Sequence, residues 1–223
     1  AIINDILDFS KIEAGKLELY EEKVNLLSIT EQITEIVKYK TFSKKLEFLL
    51  NIPTELPVWV KADGMRLRQI LLNLLWNALK YTEEGEIELS ILYKPCDINQ
   101  CGLFHFSIRD TGIGIPEDKQ KLILEAFAQA DSSTTRKYGG TGLGLPITIS
   151  LLDKMGSKLN LESEPGKGSR FFFEVELPII DKDAINLSAI SEIKNVLIVD
   201  DNEHNLQILS NMLDHMVIEN TTV

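Results

Sequence analysis

Cysteine and histidine are scarce in this chain, which has two cysteines and three histidines among 223 residues. Four residues separate Cys96 from Cys101 in the turn-like segment KPCDINQCG. Without a histidine cluster nearby, the two thiols make a weak candidate for a metal site. A disulfide at the tip of a hairpin is one alternative, and we favour two reduced thiols in a cytosolic protein.

Positive charge and long apolar runs are also lacking. The 23 Lys and Arg residues against 34 Asp and Glu residues leave a net charge of −11. This balance argues against a nucleic-acid partner, which needs a basic face to replace condensed counterions. No uninterrupted apolar run reaches the roughly 18 residues of a membrane span, so we expect no membrane contact from this chain. It has no signal peptide and begins within a helical pattern, and we therefore expect a piece of a longer protein.

Alternating and helical patterns share the chain. Apolar residues alternate with polar ones over 86–93, 103–110 and 169–177, which favours antiparallel strands with one covered face. Helical spacing covers the first residues up to Gly15, and then 25–43, 66–80 and 142–155. Shorter strands are predicted around Leu17 and Leu19, at 46–52 and at 58–63. The pattern predicts an α+β fold, a two-layer sandwich of a mixed, mostly antiparallel sheet with helices on one face.

One helix carries a polar stripe on an otherwise apolar surface. Its members lie three or four residues apart, and they are Arg66, Gln69, Asn73, Asn77 and Lys80. A solvated face is the simpler interpretation, but Asn costs up to roughly 0.7 kcal/mol against Ala inside a helix. Two Asn residues one turn apart therefore suggest carboxamide oxygens kept for a ligand or a hard cation.

Two further segments combine glycines with polar groups. In RDTGIGIPED, Asp110 ends a strand, and its carboxylate can accept a hydrogen bond from an exocyclic amine such as that of adenine. An aspartic protease would need a paired Asp and hence a symmetric dimer.

In YGGTGLGLP, Thr141 or Gly142 can cap a helix whose N-terminus binds phosphate. Arg136 and Lys137 precede it in a segment typical of a mobile lid. Neither a dinucleotide fingerprint nor a P-loop fits the glycine spacing.

Taken in order, the segments QILLNLLWNALKYT, DTGIGI, LEAFAQAD, GGTGLGL and PGKGSRF resemble the N, G1, F, G2 and G3 boxes of sensor histidine kinases. That family belongs to a larger group of ATPases that includes DNA gyrase and a heat-shock chaperone. DILDFSKIEAGKLEL resembles the end of the family's dimerisation domain, and VLIVDDNEHNLQIL resembles the start of a receiver domain. The resemblance implies a hybrid histidine kinase with a Bergerat-type ATP-binding fold. Its domains would be a helix end at 1–15, the catalytic domain at 16–178, a linker at 179–194 and a truncated receiver at 195–223.

The resemblance also implies the ligands, ATP and Mg²⁺, and the residues that bind them. Asn77 would coordinate the magnesium, Asn73 would lie near the phosphates, Lys80 and Tyr81 would contact phosphate and nucleoside, and Asp110 would accept from the adenine amine. The remaining implied contacts are Gly112, Gly114 and Ile115 along the base, Ser169 behind the adenine, Phe127, Arg136 and Lys137 in the lid, and Gly140, Thr141, Gly142, Leu143, Gly144 and Leu145 around the triphosphate. Asp200 and Asp201 would help to hold magnesium in the receiver.

Two departures bear on the activity. ATP-hydrolysing relatives carry a Glu general base at the position of Asn73, and an Asn cannot accept the proton, which favours a histidine kinase. The family's phosphoacceptor histidine, which an acidic residue follows, is absent, so the acceptor would lie outside this chain and no catalytic residue is assigned within it. The resemblance further implies a cytoplasmic homodimer that works with its own or a separate receiver domain. An ATP-hydrolysing relative and a degenerate, non-catalytic interaction module stay open as alternatives.

Overall fold

The computed structural model describes residues 2–96, 100–124, 142–181 and 193–223. The helices are α1 (Ile2–Glu13), α2 (Leu26–Lys44), α3 (Gly64–Tyr81), α4 (Glu117–Leu124), α5 (Gly144–Lys154) and α6 (Glu203–His215). The strands are β1 (Glu22–Asn25), β2 (Glu47–Asn51), β3 (Trp59–Ala62), β4 (Glu86–Pro95), β5 (Cys101–Asp110), β6 (Asn160–Glu164), β7 (Gly168–Asp181), β8 (Asn195–Ile198) and β9 (Glu219–Thr222). The described residues contain no helix that is both long enough and apolar enough to cross a membrane.

Side-chain caps fix where the long helices begin. The Asn25 carboxamide oxygen accepts from the Ser28 amide at 2.9 Å and starts α2. Asp63 does the same for α3 by accepting from the Arg66 amide at 3.0 Å. Each bond satisfies one of the amides that the first helical turn leaves without a partner.

Within the described residues, the main sheet has seven strands in the order β1-β3-β7-β5-β4-β2, with β6 also paired to β7. Among its described pairs only β2 and β4 run parallel, and all the others are antiparallel. β7 is therefore bonded to three strands, because it passes between β3 and β5 and also pairs with β6. This arrangement confirms the predicted α+β fold with its mixed, mostly antiparallel sheet.

One face of the sheet forms the hydrophobic core with α2, α3 and α5. Phe106 of β5 and Phe173 of β7 are almost fully buried there, and their rings stack at 5.1 Å between centroids. The alternation in the sequence predicted this inward set, because successive side chains of a strand point to opposite faces.

Two elements differ from expectation. The strand expected around Leu17 and Leu19 does not form; Leu17 is buried, but the first strand begins at Glu22. β6 was not predicted, because its burial is only partial and its sequence, NLESE, shows no apolar alternation. β7 also runs on to Asp181, so the domain boundary at 178 stays a prediction.

The C-terminal unit is a separate two-stranded parallel sheet, β8 with β9, joined by α6. The N-terminal end of α6 meets the face of the main sheet that points away from the hydrophobic core. There Asn202 donates to Glu86 at 2.8 Å, and His204 Nδ1 lies 3.0 Å from the same carboxylate. Arg109 also pairs with Glu86. Burial alone would raise the pKa of Glu86, but the hydrogen bonds from Arg109, Asn202 and His204 outweigh it and lower that pKa to about 2.

Replacing Phe173 with Ala should destabilise the protein by about 3–5 kcal/mol, since it removes a buried ring and leaves a cavity beside Phe106. Urea unfolding followed by circular dichroism would measure the change. Phe42→Ala is the matched control, because Phe42 is 84% exposed and should change stability by less than about 0.5 kcal/mol. Similar losses in both variants would contradict this placement of the core.

Candidate functional site

The polar stripe of α3 divides into two halves with different neighbours. In the first half, Arg66 Nη1 donates to Asp8 Oδ2 at 2.7 Å and Gln69 Nε2 donates to the same oxygen at 2.9 Å. Burial raises the pKa of Asp8, but these bonds outweigh it and hold the pKa below its ordinary value. This half of the stripe therefore binds α1 rather than a ligand.

The second half of the stripe faces the start of α5. Asn73 Nδ2 lies 3.3 Å from the Gly144 carbonyl oxygen and 3.4 Å from Thr148 Oγ1. One turn later, the half-buried Asn77 carboxamide makes no hydrogen bond within the described residues. Lys80 Nζ lies 4.8 Å from the centre of the Tyr81 ring. The structure thus places Asn73 against the start of α5, with Asn77 and Lys80 one and two turns further along the same helix.

Asp110 is a buried carboxylate at the end of β5. Its side chain accepts from the Gly112 amide at 2.8 Å, and the residue pairs with Ser169 of β7, whose amide also donates to the carboxylate. Only 6% of Asp110 is exposed. Burial raises the pKa of Asp110, and the two backbone hydrogen bonds oppose the shift without reversing it. A buried carboxylate that is shielded from water can accept hydrogen bonds from a ligand with N–H donors.

Two glycines allow backbone segments near Asp110 to approach one another closely. Gly168 has φ = 109°, and a side chain there would collide with the Asp110 carbonyl oxygen. Gly114 has φ = 66°, and a side chain there would collide with the Glu164 carbonyl. Both positions combine a left-handed backbone with close backbone contact, which only glycine accommodates.

Ser163 of β6 connects the segments on either side of the site, and the sequence did not single it out. Its Oγ accepts from the Ile115 amide at 2.8 Å, donates to the Gly168 carbonyl at 2.9 Å and lies 3.0 Å from Ser169 Oγ. Gln120 adds bonds of 2.8 Å to the carbonyls of Ile115 and Ser163. A strand prediction for β6 would have been the signal, and its polar sequence does not provide one.

The N-terminus of α5 differs from the predicted cap. The helix begins at Gly144 with Leu143 in the N-cap position, so Gly142 is not the capping residue, and within the described residues no side chain caps it. Leu143 and Leu145 pack against the hydrophobic core instead. Without a side-chain cap, the amides of the first turn are suited to an anion.

Several predicted site residues lie outside the described part of the chain: Phe127, Arg136, Lys137, Gly140 and Thr141. The predicted receiver pair is described. Asp200 accepts from the Asn202 amide at 2.9 Å and from Asn205 Nδ2 at 2.7 Å, while Asp201 is exposed. Asp200 therefore faces the start of α6, and Asp201 faces solvent.

A family model described as histidine kinase-, DNA gyrase B-, and HSP90-like ATPase matches residues 62–179. The signal transduction histidine-protein kinase BarA of Escherichia coli is 44% identical over 80% of this chain and 19% of its own length. The sensor histidine kinase GacS of Pseudomonas protegens is 37% identical over 99% of this chain and 24% of its own. The chain thus spans less than a quarter of the length of these curated relatives.

Solved structures agree with this fold. A full-length ShkA in complex with AMPPNP superimposes with a TM-score of 0.79 and 30% identity, covering 99% of this chain and 44% of its own. The catalytic domain of the histidine kinase ThkA superimposes with a TM-score of 0.56 and 26% identity, covering 72% of this chain and 97% of its own.

Asp110→Asn should make the protein more stable at pH 7. A raised pKa in the folded state means that folding favours the protonated carboxyl, and that this advantage is lost as the pH rises through the folded pKa. Asn is neutral at every pH, so the gain over wild type should be largest near neutrality and shrink in acid. Thermal unfolding at several pH values would measure it.

Glu31→Gln removes an exposed carboxylate from α2 and serves as the control, with a change of less than about 0.5 kcal/mol expected. A destabilised Asp110→Asn at pH 7 would show that the ionised carboxylate is needed for folding.

Proposed function

Because the chain belongs to the histidine kinase-, DNA gyrase B-, and HSP90-like ATPase family, we propose that it binds Mg-ATP as the catalytic domain of a hybrid histidine kinase. The observation that carries the proposal is the buried Asp110 carboxylate beside the Gly112 amide, together with Asn73 at the start of α5 and Asn77 one turn further along α3. The Asp110 carboxylate would accept from the base of a nucleotide, and the Asn side chains of α3 would face its phosphates.

The base would lie at the ends of β5 and β7. Asp110 would accept from the exocyclic amine of adenine, which explains a carboxylate that is kept buried at an energetic cost. Gly112, Gly114 and Ile115 would line the ring, and Ser169 would support the pocket from β7. The bonds from Ser163 hold two of these segments in place.

The phosphates would lie between α3 and the start of α5. Asn77 would provide the oxygen ligand for magnesium, with Asn73, Lys80 and Tyr81 beside it. Bound Mg²⁺ neutralises charge on the phosphate oxygens during transfer. The segment around the α5 N-terminus would wrap the triphosphate, and it comprises Gly140, Thr141, Gly142, Leu143, Gly144 and Leu145. Phe127, Arg136 and Lys137 would complete the site as a lid.

The γ-phosphoryl would pass to a histidine outside this chain. Asn73 donates its amide protons toward α5 and cannot take a proton from water, so hydrolysis lacks a base at this position. An imidazole nitrogen is already a nucleophile and needs none. The contribution of the chain would then be positioning and charge neutralisation.

The neighbouring elements suit this assignment. We propose that α1 is the end of a dimerisation helix, bound to α3 through Asp8, and that 195–223 begins a receiver whose Asp200 and Asp201 help to hold magnesium. The intact protein would be a homodimer that exchanges phosphoryl groups with its own or a separate receiver domain. The catalytic domain would act in the cytoplasm, where ATP is available.

Calorimetric titration should show one ATP per chain, with affinity that depends on Mg²⁺. Asn77→Ala should remove the magnesium dependence, and Asp110→Asn should weaken binding by about tenfold or more, because an amide N–H₂ would face the adenine amine. Arg68→Ala is the matched control on the same helix, since Arg68 turns toward Gln32 of α2 at 2.6 Å and should leave affinity unchanged. No binding by the wild type would instead favour a non-catalytic interaction module.

The chain alone should form no phosphohistidine with Mg-ATP. Its three histidines are placed for other contacts: His105 in β5 pairs with Glu174, His204 faces Glu86, and His215 ends α6. With γ-labelled ATP and an added helical-hairpin protein bearing a histidine followed by an acidic residue, the label should appear on that protein, and Asn77→Ala should abolish it. Label on a histidine of this chain would contradict the proposed transfer. Steady phosphate release that Asn77→Ala abolishes would also contradict it, and would favour an ATP-hydrolysing relative.

A further inference from the structure

The fold brings together two thiols and a carboxylate at the far end of the sheet from Asp110. Cys96 follows β4 and donates its amide to the Cys101 carbonyl at 3.1 Å, so the two cysteines face each other across the hairpin. Cys101 pairs with Pro178 of β7, and Glu176, two residues earlier on the same strand, is its diagonal neighbour on the same face. β5, β7 and the residue that follows β4 thus each supply one potential ligand.

Their donor atoms are close to one another. Cys101 Sγ lies 3.1 Å and Cys96 Sγ lies 3.8 Å from the same oxygen, Oε1 of Glu176, and all three atoms lie within 4.8 Å of one another. In a tetrahedral zinc site, bonds of about 2.3 Å to sulfur and about 2.0–2.2 Å to oxygen place the ligand atoms roughly 3.5–3.8 Å apart. The two sulfur–oxygen separations, 3.1 and 3.8 Å, lie near the edges of such a tetrahedron.

We propose that Cys96, Cys101 and Glu176 form a zinc site, with water as the fourth ligand. Thiolates select zinc over magnesium or calcium, and three protein ligands with one open position is an established zinc arrangement. The thiols are half-buried and Glu176 is exposed, so the ion can enter from solvent. Binding of Zn²⁺ releases the two thiol protons to the buffer, and no atom changes its oxidation state.

A disulfide between the cysteines is the competing use of the same pair, because cross-strand neighbours are within its usual Cα separation. It would leave Glu176 without a role, although that carboxylate oxygen is the atom on which both thiols converge. The shared carboxylate is the feature that favours a cation.

The position of the site indicates a structural effect. The chain runs from Glu176 to the end of β7 at Asp181, and the Ile179 amide donates to the Gln100 carbonyl at 2.7 Å. A bound ion would fasten the β4–β5 hairpin to β7 near the C-terminal end of that strand. Cys101 and Asp110 are at opposite ends of a ten-residue strand, about 30 Å apart, so the ion should stabilise the fold without altering ATP affinity.

Zinc binding by the reduced protein can be measured by competition with a chromophoric chelator, and cadmium would report sulfur ligation through its charge-transfer absorption. We expect one ion per chain and a higher melting temperature with Zn²⁺. Cys101→Ser should abolish zinc binding. Glu176→Gln should weaken zinc binding by about tenfold or more, because even the loss of a residue that only hydrogen-bonds to a metal ligand weakens affinity by that much. ATP titration of the same samples should be unchanged, which separates this result from the fate of the proposed kinase activity.

Glu174→Gln is the matched control, since Glu174 lies two residues earlier on the same face of β7 and outside the thiol cluster; its zinc affinity should equal that of wild type. Equal weakening in both Gln variants, or no binding by the wild type, would overturn the site. Loss of both thiols to oxidised glutathione in the presence of saturating Zn²⁺ would overturn it in favour of the disulfide.

Discussion

The buried carboxylate of Asp110 is the constraint on which the arrangement of the site depends. A carboxylate removed from water is costly unless donors are already in place, and here the donors are the backbone amides of Gly112 and Ser169. Those amides reach it only if β5 and β7 keep their register and the chain passes close by at Gly168. Asp110 thus connects the register of β5 and β7 with the close backbone approach at Gly168.

The division of α3 explains how a single helix serves two neighbours. Arg66 and Gln69 are bound to Asp8 of α1, while Asn73, one turn later, contacts Gly144 and Thr148 of α5. The contact with α1 and the contact with α5 therefore lie on the same continuous helix.

The sequence predicted the sheet and the long helices well because their apolar periods are strong, as in Phe171 and Phe173 of β7. It singled out Asp110 as a carboxylate at a strand end beside glycines, and Asn73 as an Asn among the apolar residues of a helix; their roles in binding stay predictions. It did not predict β6 or Ser163, since a polar edge strand has no period to detect and its partners are remote in the chain. Glu176 was missed for the same reason: only the register of three strands brings it to Cys96 and Cys101.

The strand order also has a consequence during synthesis. β7 is the last strand of the main sheet to be made, yet it lies between β3 and β5 and also carries β6. Until it emerges from the ribosome, both inner neighbours have open edges that invite pairing with other chains. Most of the pairing is also between segments far apart in the chain, which slows folding. The nascent domain should therefore depend on chaperones until its final strand arrives, and truncation before β7 should leave a chain prone to aggregation.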